Sequence, residues 1–226
     1  MLAGVDSCRK GWLAVLGEFS GDRFLFEEVR LYPSFPSLLR ASCRLIAVDL
    51  PIGLPKEYVP GGRLCDRLAR KILGPRAVSV FNPPPRTICG ARSYEEARAR
   101  LKGHLSRQAW NIWPRIQEVD LALRPQDQDR VFETHPELVF CELAGGPLPS
   151  KHQVEGLKRR LALLQRSGLF CQLERNFQQI PKTLQKDLLD AYAALLAAKR
   201  IFTGEAKRLP AEPEYDERGL RMEIWY

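Results

Sequence analysis

The stretch Gly4-Val5-Asp6-Ser7-Cys8-Arg9-Lys10-Gly11-Trp12-Leu13-Ala14-Val15-Leu16 decides the fold of this chain. Two apolar runs flank a short polar segment that ends at Gly11, which is the pattern of two strands joined by a turn. Asp6 lies inside the first run, where a carboxylate is costly to bury unless it has a partner. We therefore expect the chain to begin with two strands, the first of which carries a functional acid.

Strand and helix patterns follow one another along the rest of the chain. Residues 24–31 alternate in polarity with a period near two, and residues 45–49 form a compact apolar run that ends in Asp49, as a buried parallel strand does. A further strand is predicted over 130–134, and an edge strand over 222–226. Helices are predicted over 34–41, 64–73, from 93, over 106–119 with a break at Pro114, from 136, over 154–167 and over 184–202.

The basic residues of the chain are concentrated in its central part. The net charge is +8, from 35 Lys+Arg and 27 Asp+Glu. Residues 63–124 hold 13 basic and 5 acidic residues, so the whole excess of +8 lies there. Such a stripe is what a phosphate backbone selects, and Trp110 and Trp113 would offer stacking surfaces for bases. The alternative is a solvated basic helix face with both tryptophans in the core.

Several classes of protein are excluded by composition. No apolar run approaches the roughly 18 residues that a membrane-spanning helix needs. The first residues lack the basic flank of a secretion signal, so we expect a cytoplasmic protein. The six cysteines form no Cys-x-x-Cys pair, and the three histidines show no ligand spacing with them, which argues against a disulfide framework and a zinc site.

Acidic residues are placed where surface salt bridges are not expected. Asp6 and Asp49 belong to apolar strands, and Asp187 and Asp190 share one face near the start of the last helix because they are three positions apart. Glu133 and Glu137 flank the end of the strand at 130–134. Strand acids that converge with an acidic helix face predict a site for Mg²⁺ or Mn²⁺, which prefer hard oxygen ligands.

These residues also carry a resemblance to a known family. The motifs Asp6-x-x-Arg9-x-Gly11-Trp12, Asp49-Leu50-Pro51 and His135-Pro136-Glu137, taken together, resemble those of the DUF429 family, a group of uncharacterised bacterial and archaeal predicted RNase H-like nucleases. Further matching residues follow in the same order along nearly the whole chain: Cys65-Asp66, Ala69-Arg70, Leu73-Gly74, Arg76, Ser79-Val80-Phe81, Pro83-Pro84, Glu133, Ser150-Lys151, Asp187 and Asp190-Ala191.

The resemblance implies an α/β fold with an RNase H-like mixed central sheet flanked by helices. It implies one domain over residues 1–226, with a largely helical basic insertion at about 51–129. In that fold an Asp on the first strand, an acid on a later strand and one or two acids on the final helix form the site. Asp6, Asp49, Asp187 and Asp190 fit those places, and Glu133 or Glu137 completes the catalytic set.

The function that follows is a metal-dependent nuclease, a hydrolase that cleaves phosphodiester bonds of DNA or RNA with Mg²⁺ or Mn²⁺. The basic segment would hold the nucleic acid. Five cations are candidates for contacts with phosphate: Arg9, Lys10, Arg76, Arg86 and Lys151. His135 is either a proton shuttle near the metal or a structural hydrogen-bonding residue.

Two other functions stay open at the level of sequence. The first is a non-catalytic nucleic-acid-binding protein of the same fold. The second is phosphoryl transfer, because the actin-like ATPases and sugar kinases share the sheet and begin their first hairpin with Gly-x-Asp. Against the latter, Ser7 to Trp12 contains one glycine, which makes a poor phosphate-cradling loop, and a duplicated fold would need a longer chain.

Overall fold

The computed structural model describes residues 1–21 and 23–226 of the chain. Its centre is a five-stranded sheet with the strand order β3-β2-β1-β4-β5. The neighbours β1, β2 and β3 pair antiparallel, whereas β4 pairs parallel with both β1 and β5, so the sheet is mixed. The strands are β1 (Leu2–Cys8), β2 (Gly11–Ser20), β3 (Arg23–Tyr32), β4 (Leu45–Val48) and β5 (Val131–Glu133).

Helices cover both faces of this sheet. They are α1 (Phe35–Leu39), α2 (Leu64–Leu73), α3 (Tyr94–Arg100), α4 (Arg107–Ala122), α5 (Pro136–Ala144), α6 (Val154–Arg166), α7 (Leu173–Gln179) and α8 (Gln185–Thr203). The mixed α/β fold with a central sheet flanked by helices is therefore confirmed. Within the described residues, none of these helices is long and apolar enough to cross a membrane.

Alternation along β2 divides the core into two layers. Leu13 and Val15 pack in one layer with residues of α5 and α8. Trp12 and Ala14 point to the opposite face and pack in a second layer with residues of α1 and α4. This period of two follows from the strand geometry and explains why β2 is apolar on both faces.

The turn between β1 and β2 depends on Gly11. Its φ of +131° lies in a region that L side chains rarely adopt, and a Cβ there would lie 2.2 Å from the carbonyl oxygen of Tyr32. On the other side of β1, the amide of Asp49 donates to the carbonyl of Val5 at 2.8 Å. Asp6, within β1, and Asp49, directly after β4, therefore lie on neighbouring strands.

The segment between β4 and β5 contains α2, α3 and α4. Helix α4 runs without a break through Pro114, so the predicted break was wrong. Proline removes one amide donor, and the burial of Trp113 and Ile116 on either side stabilises the helix in spite of that loss. The assignment of about 51–129 as an insertion into a single domain stays a prediction.

A two-stranded sheet follows α8, formed by β6 (Arg208–Tyr215) and β7 (Arg221–Trp225). The strand predicted over 222–226 is therefore present, with β6 as its main partner. β7 meets the central sheet at a bridge between Thr134 and Trp225. β6 carries two prolines and three charged residues, and these hide its strand pattern in the sequence.

Candidate metal centre

Three carboxylates meet where β1, β4 and α8 approach one another. Asp6 lies in β1, Asp49 directly follows β4, and Asp190 lies near the start of α8. One oxygen atom from each side chain lies within 4.8 Å of the other two. Asp6 and Asp190 are buried, and Asp49 is half-buried. We call these three residues the acidic triad.

The position of Asp190 depends on how closely α8 packs against β1. A Cβ at Gly4 would lie 2.0 Å from the amide nitrogen of Leu195 and 2.1 Å from the carbonyl oxygen of Ala191. Both atoms belong to the backbone of α8, so the strand and the helix touch at a point where only glycine fits. This contact fixes the distance of α8 from the sheet and its rotation about its own axis, and it thereby brings Asp190 close to Asp6 and Asp49.

Burial and mutual repulsion raise the pKa values of these acids. Burial, followed by the charges of Asp49 and Asp190, raises the pKa of Asp6 well above its usual value of 3.8. Burial and the charge of Asp190 raise the pKa of Asp49 to about 8. The same two causes raise the pKa of Asp187, at the edge of the cluster, to about 6. A bound cation would relieve this electrostatic cost.

Asp190 has one oxygen with a partner and one without. The Nζ of Lys151 donates a hydrogen bond to Oδ2 of Asp190. Oδ1 is buried and has no hydrogen-bond partner among the residues that the structure describes. Asp190 is only 1% exposed, so water cannot readily satisfy this atom. A buried, unpartnered carboxylate oxygen beside two other carboxylates fits a metal ligand.

The loop that carries Lys151 is held by α6. A Cβ at Gly156 would lie 2.0 Å from the carbonyl oxygen of Ser150, so glycine allows α6 to pack directly on the loop. Arg160 donates from Nη1 to the carbonyl oxygen of Pro149 at 2.8 Å. The ammonium group of Lys151 therefore reaches the triad from a braced loop. Burial alone would lower the pKa of Lys151, but the charges of Asp190, Asp6 and Asp49 raise it, so Lys151 stays charged.

The triad lines a cleft with a volume of about 490 Å³. We call it the metal cleft. Arg76, His135 and Asp187 line it as well. Buried atoms of Arg76 (Nε) and His135 (Nδ1) have no hydrogen-bond partner within residues 1–21 and 23–226. Burial lowers the pKa of His135, so its imidazole is neutral at pH 7.

A comparison with known protein families shows which family the chain belongs to. The model of the family described as "Protein of unknown function (DUF429)" matches residues 4–215. The chain belongs to the DUF429 family. No curated protein matches it. A structure of Thermus thermophilus RuvC matches 91% of this chain and 98% of that chain, at 17% sequence identity and a TM-score of 0.32. A similarity this low leaves the fold to be judged from the strand order itself.

Both glutamates predicted for the site of this DUF429 protein form ion pairs. Glu133 accepts two hydrogen bonds from the guanidinium of Arg63, at 2.6 and 2.7 Å. Arg63 also binds the carboxylate of Asp66. Glu137 accepts two hydrogen bonds from Nη2 of Arg160, both at 2.7 Å. Both glutamates line the metal cleft, but their carboxylates are already occupied. Their catalytic role stays a prediction.

The cations predicted to contact phosphate are not all in one place. Lys151 and Arg76 line the metal cleft. Arg9 lines a neighbouring shallow groove, and Lys10 is exposed in the turn after β1. Arg86 is held away from the cleft lining by ion pairs with Asp120 and Asp216. The DUF429 protein therefore brings two of the five predicted cations to the metal cleft.

The sequence alone did not identify the two arginines that support this site in the DUF429 protein. Arg63 and Arg160 are almost completely buried, although arginine is rarely found so. The spacing of Arg63 and Asp66 at the start of α2 is the one usable signal, because Asp66 accepts from the backbone amide of Arg63 as an N3 residue does. Arg160 follows Lys158 and Arg159, and nothing in that basic run marks it as buried.

Proposed function

We propose that this protein is a metal-dependent nuclease that hydrolyses phosphodiester bonds of DNA or RNA. The observation that carries the proposal is the acidic triad, in which three carboxylate oxygens lie within 4.8 Å of one another and Asp190 keeps a buried oxygen without a partner in the described part of the chain. Carboxylates at such distances repel unless a cation lies among them.

The donor set of the triad fits Mg²⁺ or Mn²⁺. All three side chains offer carboxylate oxygen, the ligand that these hard cations prefer. Asp6, Asp49 and Asp190 would hold the cation, with Asp187 as an additional acid on the same helix. A divalent cation bound there supplies charge neutralisation of the phosphate and activation of water.

The remaining groups of the metal cleft fit a phosphodiester. Lys151 and Arg76 place positive charge on the cleft wall, where each can donate hydrogen bonds to phosphate oxygens. The pKa of Asp187, about 6, suits a carboxylate that accepts a proton from the attacking water. His135, neutral at pH 7, is the second group in the cleft able to accept a proton.

In this proposal Glu133 and Glu137 support the site through Arg63 and Arg160. Arg63 connects α2 to the end of β5, and Arg160 connects α6 to α5 and to the loop of Lys151. These two buried ion pairs fix the walls of the metal cleft. Both arginines therefore act as positioning residues, and the glutamates hold them in place.

A nuclease assay with matched variants tests the proposal. Purified protein with Mg²⁺ or Mn²⁺ should cleave at least one of single-stranded, duplex, hybrid or branched DNA or RNA, and EDTA should stop the reaction. Asp6→Asn should abolish cleavage while the protein stays folded by circular dichroism. The control Asp129→Asn changes an acid that is 84% exposed in its side chain, and it should leave cleavage unchanged.

The same assay separates the nuclease from a non-catalytic binding protein. If the wild type and Asp6→Asn are equally inactive on all substrates but bind nucleic acid equally well, the protein is a binder and the nuclease proposal is wrong. If ATP is hydrolysed, or its phosphoryl group is transferred to a sugar, phosphoryl transfer replaces hydrolysis of nucleic acid as the function. Binding should weaken steeply with salt whenever a phosphate backbone is bound.

A further inference from the structure

A second cavity adjoins the metal cleft. It has a volume of about 780 Å³, and we call it the flanking groove. Its lining includes Tyr58, Phe81, Pro83–Pro85 and His104. Four residues line both cavities, so the two are direct neighbours. They are Val78, Val80, Phe81 and Gln108.

Flat apolar surfaces dominate the flanking groove. The rings of Tyr58 and His104 stack, with their centroids 4.6 Å apart and their planes 12° from parallel. His104 is exposed, so part of the stacked pair is accessible to a third planar group. Base–aromatic stacking of this kind accepts any base, because every base has a π face. Val78, with 76% of its surface exposed, lies at the junction of the two cavities.

The charge around the flanking groove favours an anionic occupant. Among the described residues, its lining contains no carboxylate, in contrast to the metal cleft. Arg70 lines it, and the exposed Lys102 lies next to Gly103 at its rim. The groove is built from residues 58–109, most of which fall within the segment that carries the whole net charge of +8. Apolar planes inside and positive charge around them are what a single strand of nucleic acid requires.

The depth of the triad limits the form of the substrate. Asp6 is 7% and Asp190 1% exposed, so a phosphate must enter the metal cleft to reach them. A cavity of about 490 Å³ holds a group of drug-like size, such as one nucleotide. Bases that stack in the flanking groove must be unpaired, because in a duplex both faces of each base are already stacked on its neighbours.

We propose that the substrate is single-stranded nucleic acid, or an unpaired segment, whose bases next to the scissile phosphate stack in the flanking groove on Tyr58 and His104. This proposal rests on the nuclease function proposed above, since the metal cleft supplies the point of cleavage. It adds the strandedness of the substrate and the residues that select it.

Binding measured without metal tests the proposal separately from catalysis. The protein with Asp6→Asn, in EDTA, is titrated into fluorescein-labelled single-stranded DNA, single-stranded RNA and the matched duplexes, and fluorescence anisotropy is recorded. One or both single strands should bind at least about tenfold more tightly than the duplexes. Tyr58→Ala and His104→Ala should each weaken single-strand binding by roughly tenfold. Tyr58→Phe should retain it, because the ring remains.

The control is Tyr215→Ala, which removes an aromatic ring that is 63% exposed in β6 and is not part of the groove lining. It should leave single-strand binding unchanged. Equal binding of duplex and single strand, or wild-type affinity in both Tyr58→Ala and His104→Ala, would overturn the proposal even if the protein cleaves nucleic acid. Conversely, single-strand binding that depends on Tyr58 and His104 in a protein without nuclease activity would support the groove and reject the nuclease.

Discussion

Lys151 donates a hydrogen bond from its ammonium group to one oxygen of Asp190, while the other oxygen of that carboxylate is buried without a partner in the described part of the chain. Asp190 is therefore shared between a fixed positive charge and an open ligand position. The lysine offsets part of the repulsion within the acidic triad, and it also competes with a metal ion for the same carboxylate.

Removal of this lysine should affect metal binding and cleavage in opposite directions. Lys151→Met takes away a positive charge beside the cation and releases Oδ2 of Asp190, so affinity for Mn²⁺ should rise by roughly tenfold. Cleavage should fall, because the phosphate loses a contact. Isothermal titration calorimetry with Mn²⁺ and a nuclease assay measure the two effects. Lys158→Met, on the exposed face of α6, is the control, and unchanged or weaker Mn²⁺ binding in Lys151→Met would contradict the interpretation.

The stability of the metal-free protein should fall as the pH rises, owing to Asp49. The folded protein raises the pKa of Asp49 from 3.8 to about 8, so between these values the folded state binds more protons than the unfolded state. The contribution of Asp49 is therefore most favourable below pH 4 and is lost progressively as the pH approaches 8. Asp49→Asn should raise the stability of the metal-free protein at pH 8 by an amount of the order of 2 kcal/mol.

Thermal unfolding in EDTA between pH 5 and 8 measures this effect as the difference between Asp49→Asn and the wild type. The difference should grow with pH. Added Mg²⁺ should raise the Tm of the wild type and have little effect on Asp49→Asn. A variant that is less stable than the wild type at pH 8 in EDTA would show that the carboxylate is not under repulsion.

Glu133 should matter for stability rather than for metal binding. Glu133→Gln weakens two hydrogen bonds to Arg63 and leaves Asp66 as the partner of that arginine, so the free energy of unfolding should fall by about 2 kcal/mol. Mn²⁺ affinity should stay within about twofold of the wild type. Urea unfolding and calorimetry check the two quantities. A tenfold loss of Mn²⁺ affinity without loss of stability would instead make Glu133 a metal ligand.

Gly4 should be required for both the fold and the site. A Cβ in Gly4→Ala meets three backbone atoms of α8, so the helix must shift away from β1 and carry Asp190 with it. We expect a loss of stability of about 3 kcal/mol and a weaker affinity for Mn²⁺ in the protein that remains folded. Gly146→Ala is the control, because a Cβ there meets no described atom within 4 Å. Wild-type Mn²⁺ affinity in Gly4→Ala would show that this contact does not position the site.

The sequence predicted the strands that carry Asp6 and precede Asp49, because strand patterns are local. Asp6 and Asp49 lie close together because β1 and β4 are parallel neighbours in the sheet. The sequence assigned both Asp187 and Asp190 to the site because they share a helix face, whereas the close packing of α8 at Gly4 brings Asp190 to the strand acids. The partner of Glu133 lies 70 positions away in sequence, and no local pattern predicts such an ion pair.

Similar limits explain the other differences. Pro114 predicted a helix break, but the buried side chains of Trp113 and Ile116 outweigh the loss of one hydrogen bond. Arg86 was predicted to contact phosphate, whereas it pairs with Asp120 and Asp216, which come from distant parts of the chain. Interactions between residues that are far apart in the sequence could not be predicted from local sequence patterns.

The most direct test of the metal centre at the acidic triad is a crystal of this protein that is soaked in Mn²⁺ and measured for anomalous scattering. One strong anomalous peak is expected, with oxygen ligands from Asp6, Asp49 and Asp190, each at about 2.1 Å. The absence of a peak between these three carboxylates, with the ammonium group of Lys151 as their only neighbouring cation, would contradict the assignment of a metal centre.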